Sequence, residues 1–261
     1  INMSDSYACY TEGSRERFGR LVSPAKLFVA TNTLDTDRLF AVRRELEREG
    51  RMNVRARLGL TGTRYICYIG RLIPEKNPFG VLTALERLRS RGVECGLVVI
   101  GDGPERGTLE DHAKCIGLHD THFLGARWHI DETAPYLFSS DVLLNPGYVG
   151  LSVNQAVCLG LPVVTQATGA QGPYHSPEIE FVQNGVTGFI APHGDADALV
   201  DRVEEVFEGR QAFYRSAVGF AEDKLVIERW VAGMVGAIDH AKESRSRKRR
   251  EESRRTLAGL M

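Results

Sequence analysis

Two cations bracket a short glycine-led loop, Gly70-Arg71-Leu72-Ile73-Pro74-Glu75-Lys76-Asn77, just before a stretch with helical spacing. A guanidinium offers phosphate oxygens a planar fork and an ammonium offers a mobile point charge. The free N–H groups of a helix start also favour an anion. Gly70 lets the backbone turn sharply off the preceding strand. A second anion-suited segment is Asn145-Pro146-Gly147-Tyr148-Val149-Gly150, followed by Leu151-Ser152-Val153-Asn154-Gln155-Ala156. Its glycines lead into a helix whose first amides lack intrahelical partners, and Ser152 adds a hydroxyl. One diphosphate would satisfy both segments if they faced each other. A third loop, Gly101-Asp102-Gly103-Pro104, imitates a dinucleotide fingerprint and fails it: the third glycine falls due at Arg106, and Gly107 comes one residue late. Pro104 makes a good first helical residue, so a tight turn into a helix is the role expected there.

For these loops to meet, regular elements must bring them together. Apolar runs at 64–69, 96–100, 121–124, 141–144, 162–165 and 188–191 read as strands. Helical spacing is predicted over 78–91, 105–116, 131–138, 151–159, 195–207 and 222–240. In the first of these, Val81, Leu82, Leu85 and Leu88 share one face, and Asp131 is the expected N-cap of the third. A charged surface helix is predicted over 38–57. Strands alternating with helices are βαβ units. Strands apolar on both faces belong to a parallel sheet covered on each side. The fold class is therefore α/β, a Rossmann-like parallel sheet with helices on both faces. Right-handed crossovers put every strand-to-helix loop at one edge, where open α/β sheets bind ligands.

The chain of 261 residues is 43% hydrophobic, enough for a real core. It has no apolar run of the roughly 18 residues a membrane helix needs and no visible signal segment. Beginning with Ile1, it reads as a fragment or trimmed product. The net charge of −1 is uneven: residues 242–255 hold eight basic and three acidic groups, so they carry +5 against −6 elsewhere. Such a tail suits an anionic membrane surface or, more simply, solvent, as a partly disordered segment; no nucleic-acid partner is expected. Five cysteines without a C-x-x-C pair suggest free thiols in a reducing cytoplasm. His112, His119, His122 and His129 match no zinc spacing.

The loops together resemble the C-terminal domain of retaining GT-B glycosyltransferases, the large bacterial group (glycosyl transferases group 1) that builds glycolipids and capsular or exopolysaccharides. The elements that carry the resemblance run in order: G-R-L-x-x-E-K-N (70–77), G-D-G-P (101–104), F-L-G (123–125), S-S-D-V-L-L-N-P (139–146), G-L-S-V-x-Q-A (150–156), G-L-P-V-V-T (160–165) and N-G-V-T-G-F-I (184–190). Asn32-Thr33-Leu34-Asp35 resembles the segment by which such enzymes pass between their halves. The resemblance implies a domain plan: 1–30 as the remnant of an N-terminal acceptor domain, 31–60 as linker and helix, 61–222 as the nucleotide-sugar domain, 223–261 as C-terminal helix and basic tail. It implies that Arg71 and Lys76, with Gly70, hold the diphosphate of a UDP- or GDP-sugar substrate. The backbone at Gly125–Arg127 would meet the base, and Gly150, Leu151, Ser152 and Gln155 the phosphates and ribose. No cofactor or metal is implied; side-chain cations would neutralise the departing diphosphate. The acceptor would be a saccharide or glycolipid, and the setting cytoplasmic, with the basic tail at the membrane periphery.

Two departures bear on this. Many relatives carry E-x7-E around the third of these loops, where this chain has Gly147 and Gln155. The reading P-G-x-V-G-L-S at this place belongs to a polysaccharide-type subgroup. Glu178, taken as a catalytic candidate, and Glu180 are the carboxylates that could serve the site instead, the alternative being a surface helix face. The acceptor half is also missing. A non-catalytic nucleotide-sugar-binding or regulatory domain therefore stays open, as does an NAD-dependent oxidoreductase.

Overall fold

The computed structural model describes residues 4–258. They divide into two compact units, one spanning Leu34–Leu225 and the other made of the segments up to Thr33 and from Val226 onward.

In the smaller unit, β1 (Tyr7–Cys9) and β2 (Leu27–Val29) pair in parallel, joined by α1 (Glu12–Gly19). Thr11 caps α1 by accepting from the Ser14 N–H (3.1 Å). The chain's last helix, α9 (Ile227–Ala258), packs on both strands. It runs unbroken through the basic segment expected to be partly disordered. Two ion pairs explain part of this: Arg245 (3.1 Å) and Lys248 (2.6 Å) both reach Asp5, and they hold its carboxyl down to about 2. Arg247–Glu243 adds an i,i+4 pair along the helix.

The larger unit opens with α2 (Thr36–Glu49), capped by Asp35 Oδ1, which accepts from the Arg38 N–H (3.0 Å). The helix predicted over 38–57 is broken in two: Gly50 takes φ +84°, and α3 (Arg51–Leu58) sets off anew. Both helices pack on later helices of the same unit. The sheet is entirely parallel, with strands β3 (Tyr65–Ile69), β4 (Gly96–Ile100), β5 (Thr121–Phe123), β6 (Val142–Asn145), β7 (Val163–Gln166) and β8 (Gly188–Ala191). Their spatial order is β5-β4-β3-β6-β7-β8. The chain thus builds outward from β3 to β5, then returns to lay β6 on the other flank of β3. The gap beyond the carboxyl ends of β3 and β6 is the topological switch point of the sheet.

One face carries α4 (Phe79–Ser90), α5 (Arg106–Cys115) and α8 (Ala196–Lys224), with Leu82, Leu85, Leu109 and Val203 meeting Ile66, Val99, Leu144 and Val164 in one buried cluster. Each such side chain is worth roughly 1.5–3 kcal/mol. The opposite face holds α2, α3, α6 (Ile130–Ser139) and α7 (Ser152–Cys158). Helix α6 starts at Ile130 after His129, so Asp131 lies in its first turn, where its charge suits the dipole and pairs with Arg38; the expected N-cap is not used. At the amino edge, Arg51 (2.6 Å), Arg55 (2.8 Å) and Arg210 (2.8 Å) converge on the buried carboxylate of Asp141, which also accepts from the Tyr65 N–H (2.7 Å). Arg51 and Arg55 also donate to the Ser139 carbonyl, both at 2.8 Å, which satisfies the end of α6.

Candidate functional site

The loops after β3 and β6 meet at the switch point. Lys76 lies at the end of a short 3₁₀ turn (Pro74–Lys76), and its Nζ donates to the Tyr148 carbonyl (2.8 Å) while sitting 4.2 Å from the centre of the Tyr148 ring. No ion pair of Lys76 occurs among the described residues, and burial pulls its ammonium down to about 8. Two backbone contacts fix the pairing of the loops. The Tyr148 N–H donates to the Glu75 carbonyl (3.2 Å). A Cβ on Gly147 would lie 2.3 Å from the Lys76 carbonyl carbon, so only glycine allows the loops to approach this closely.

Beyond Tyr148 the chain enters α7. The Val153 N–H returns to the Gly150 carbonyl (2.9 Å), whereas among the described residues the N–H groups of Gly150, Leu151 and Ser152 enter no backbone hydrogen bond. Helix α7 has only seven residues, so its dipole is small and these three donors matter more than the macrodipole. Leu151 is exposed and Ser152 half-buried. Arg71 is exposed, and among the described residues its guanidinium makes no hydrogen bond or ion pair. Its backbone is anchored by Tyr68, whose hydroxyl donates to the Arg71 carbonyl (3.0 Å).

The G-D-G-P loop serves this arrangement structurally. Gly101 has φ +152°, and a Cβ there would fall 1.8 Å from the Gly70 carbonyl oxygen. The Leu72 N–H donates to Asp102 O (2.9 Å) and the Gly101 N–H to Gly125 O (2.9 Å). Loops 70–77, 101–104 and 124–129 are thus laced side by side at one edge. Gly125 is buried, but Arg127 is exposed and turned toward its own loop, donating to Leu124 O (3.3 Å). The adjacent Trp128 is 86% exposed, an unusual state for an indole.

The structure corrects the alternative placing of Glu178 on a surface helix face. Pro177–Phe181 is a 3₁₀ turn packed on α7, in which Glu178 is 2% exposed and Glu180 half-buried. The turn is tied to the loop after β6 by the Ser176 N–H, which donates to Val149 O (3.1 Å), and by the hydrogen bond between the Tyr148 and Ser176 hydroxyls. His175 completes the join. The Val149 N–H donates to its Nδ1 (3.3 Å), which leaves the proton on Nε2 to bond Gln166 O (2.8 Å). Burial lowers its pKa and keeps this neutral tautomer. Gln155 points elsewhere, its Nε2 donating to Thr133 Oγ1 on α6 (2.5 Å). Lys76, Gly147 to Ser152 and the turn bearing Glu178 therefore gather in one place, while Gln155 and Arg127 are engaged at its margins.

Sequence reasoning missed Tyr148, His175 and Ser176. An aromatic inside a glycine-rich loop that faces a cationic loop is a signal for the first; the other two lie in a segment without periodicity, where sequence offers none.

The parallel sheet wound from β3 to β5 and back to β6, with its loops converging at the switch point, is the C-terminal half of the GT-B glycosyltransferase fold. Among solved structures, Anabaena Alr3699/HepE in complex with UDP superimposes with a TM-score of 0.69 at 18% identity, covering 90% of this chain and 64% of that one. Residues 51–218 match the family described as "Glycosyl transferases group 1", and the chain belongs to that family. It is 29% identical to glycogen synthase of Mycobacterium tuberculosis, over 83% of this chain and 49% of that protein. It is 27% identical to a GDP-mannose-dependent alpha-(1-6)-phosphatidylinositol monomannoside mannosyltransferase of Mycolicibacterium smegmatis, over 88% of this chain and 59% of that protein. The chain therefore spans about half the length of these curated relatives.

Proposed function

We propose that this chain is the donor-binding half of a retaining, metal-independent glycosyltransferase that moves a sugar from a UDP- or GDP-sugar to a saccharide or lipid acceptor. The observation that carries the reading is the half-buried Lys76 ammonium, held on Tyr148 with no ion pair among the described residues, on the loop that leads into Gly150, Leu151 and Ser152. A diphosphate supplies what that arrangement lacks: negative charge and several acceptor oxygens. In transfer, the cations Lys76 and Arg71 would stabilise the charge that grows on the departing diphosphate. Glu178, buried in the turn packed on α7, serves as a catalytic candidate. Arg127 and the backbone at Gly125 would meet the base, with Trp128 close by in sequence as a fluorescent reporter. Family membership and the names of the relatives support a sugar-nucleotide substrate.

The N-terminal half that a complete enzyme of this fold carries would hold the acceptor, and the first thirty residues would be its remnant. Sugar nucleotides are cytoplasmic metabolites, so we place the protein there. Among the described residues no helix is long and apolar enough to cross a membrane. The basic stretch of α9 would bring the enzyme to an anionic membrane surface, which vesicle sedimentation with and without residues 242–261 would test.

Titration calorimetry with UDP and GDP tests the central reading, with and without EDTA. Binding that is EDTA-insensitive and weakened tenfold or more in Arg71→Ala and Lys76→Ala supports it. No heat from either nucleotide at millimolar concentration sinks it. The non-catalytic alternative draws on Gln155, whose amide is already committed to Thr133. Sugar transfer by the full-length protein, with the product anomer read by NMR, decides between the two.

A further inference from the structure

Val149 is a buried residue that joins the two parts of the candidate diphosphate site. On one side of it, Tyr148 seats the Lys76 ammonium. On the other, Gly150, Leu151 and Ser152 lead into α7. Both parts keep their places only while Val149 keeps its own.

Two consecutive residues from a later segment hold it. The Val149 N–H donates to His175 Nδ1 (3.3 Å), and the Val149 carbonyl accepts from the Ser176 N–H (3.1 Å). Neighbouring contacts continue the strip: the Tyr148 and Ser176 hydroxyls are hydrogen-bonded, and a Cβ on Gly150 would lie 3.5 Å from the Ser176 hydroxyl. His175 is braced from behind, where Nε2 donates to the Gln166 carbonyl at the end of β7 (2.8 Å). The ring is thus a spacer between a strand end and the loop. Both its nitrogens are spent on backbone, so it has no N–H to offer a ligand.

Nδ1 can accept only while it carries no proton. Once protonated, it turns a donor toward the Val149 N–H, and the bond is lost. A buried N–H left unmatched is unfavourable, so the strip must then shift. The charged and titratable groups around the ring do not offset this. Lys76, on the loop after β3, lowers the imidazole pKa further, in addition to burial. Tyr148, on the loop after β6, is bonded to Ser176. Glu178 and Glu180 follow on its own segment, and His193 lines one cleft with Gln166, Glu75 and Tyr148. Among the described residues the imidazole forms no ion pair, and the charge that acts on it is that of Lys76.

We propose that His175 is a positioning residue for donor binding: its neutral ring holds Val149, and through it the Lys76 seat and the start of α7, in the ligand-ready arrangement, and protonation releases them. The choice of ligand rests on the glycosyltransferase reading above; the clamp itself does not.

Two measurements separate the clamp from the ligand. The first is NMR of the isotope-labelled, ligand-free chain from pH 7.5 to 5. The ring nitrogens of His175 should report a bare Nδ1 and a protonated Nε2 at pH 7.5. The amide signals of Val149, Gly150, Leu151 and Ser152 should move with the midpoint of that ring. The second is calorimetry with UDP-glucose and GDP-mannose, whose diphosphates take up no proton in this range. Affinity for at least one should fall by about threefold to tenfold between pH 7.5 and 5. His175→Leu should bind weakly throughout, without that slope. His175→Asn, whose Oδ1 stands in for Nδ1, should regain part of the affinity at pH 7.5 and still show no slope; it decides the matter if His175→Leu fails to fold. Loop amides that ignore the His175 midpoint overturn the clamp. So does a parent affinity that stays constant or rises toward pH 5, since a rise would make the imidazolium a direct partner of the anion. Amides that follow the midpoint while neither sugar nucleotide binds at any pH would leave the clamp standing and overturn the donor reading instead.

Discussion

The ammonium of Lys76 rests on the backbone carbonyl of Tyr148 (2.8 Å) and against the face of the same residue's ring (4.2 Å). One residue on the second loop thus supplies both contacts to the cation of the first. Neither contact carries a full negative charge, so the ammonium is stabilised less than it would be by a carboxylate, and burial lowers its pKa to about 8.

A pH dependence of ligand binding follows. A diphosphate would favour charged Lys76, so binding above pH 8 must take up a proton. UDP or GDP affinity should fall as pH rises from about 8 toward 10, by up to about tenfold per unit. Calorimetry in buffers of different ionisation enthalpy would register the proton uptake. Lys76→Met should bind weakly at every pH without that slope. For the unliganded fold the sign is opposite: the unfolded chain holds the Lys76 proton more tightly, so this residue's unfavourable contribution is relieved between pH 8 and 10.5.

Arg71 and Asp141 should behave as opposites. Arg71→Ala removes an exposed side chain without partners among the described residues and should change stability by less than about 0.5 kcal/mol, while weakening nucleotide binding by about tenfold or more, the worth of a charge-assisted hydrogen bond. Asp141→Ala leaves three arginines facing one another and should cost about 3–5 kcal/mol in urea denaturation. An Asp141→Ala protein as stable as the parent would show that the network at the amino edge is not holding α3 and α8 to the sheet.

Gly147→Ala introduces a methyl 2.3 Å from backbone rather than from a flexible side chain. The loops must part, at a cost of about 1–3 kcal/mol, and Lys76 should lose its seat on Tyr148. Reduced nucleotide affinity, together with a Lys76 pKa moved back toward its ordinary value by NMR, is the expected pair of results. An unchanged pKa would mean that the lysine does not depend on this approach.

His175 gives an acid-side prediction. Its folded pKa is depressed, so its neutral form favours the fold above pH 6.5, and that stabilisation is lost as pH falls from 6.5 through the lower folded value. Thermal denaturation between pH 7 and 5 should show a slope that His175→Gln removes.

The sheet and the two glycine-bearing loops were legible in the sequence because buried parallel strands write long apolar runs, and glycine marks sharp turns. Where the reading missed, non-local contacts had decided. Gly50 splits one charged segment into α2 and α3, although periodicity continues across it. Asp131 had the composition of an N-cap, but Arg38, far away in sequence, takes its carboxylate. Glu178 and Gln155 looked alike as polar residues near the site. Their surroundings separate them, since one is enclosed beneath α7 and the other is bonded to Thr133. The basic tail has a composition that solvent tolerates, and its pairing with Asp5, distant in sequence, could not be read from that composition.

The backbone contact between Gly70 and Gly101, with the bond from Gly101 to Gly125, leaves no slack among the three neighbouring strand ends. Lengthening any one of these connections would push against the other two. Attempts to retune what this edge recognises are therefore confined to swapping outward-facing groups such as Ala126, Arg127 and Trp128, on a frame whose spacing cannot be edited piecemeal.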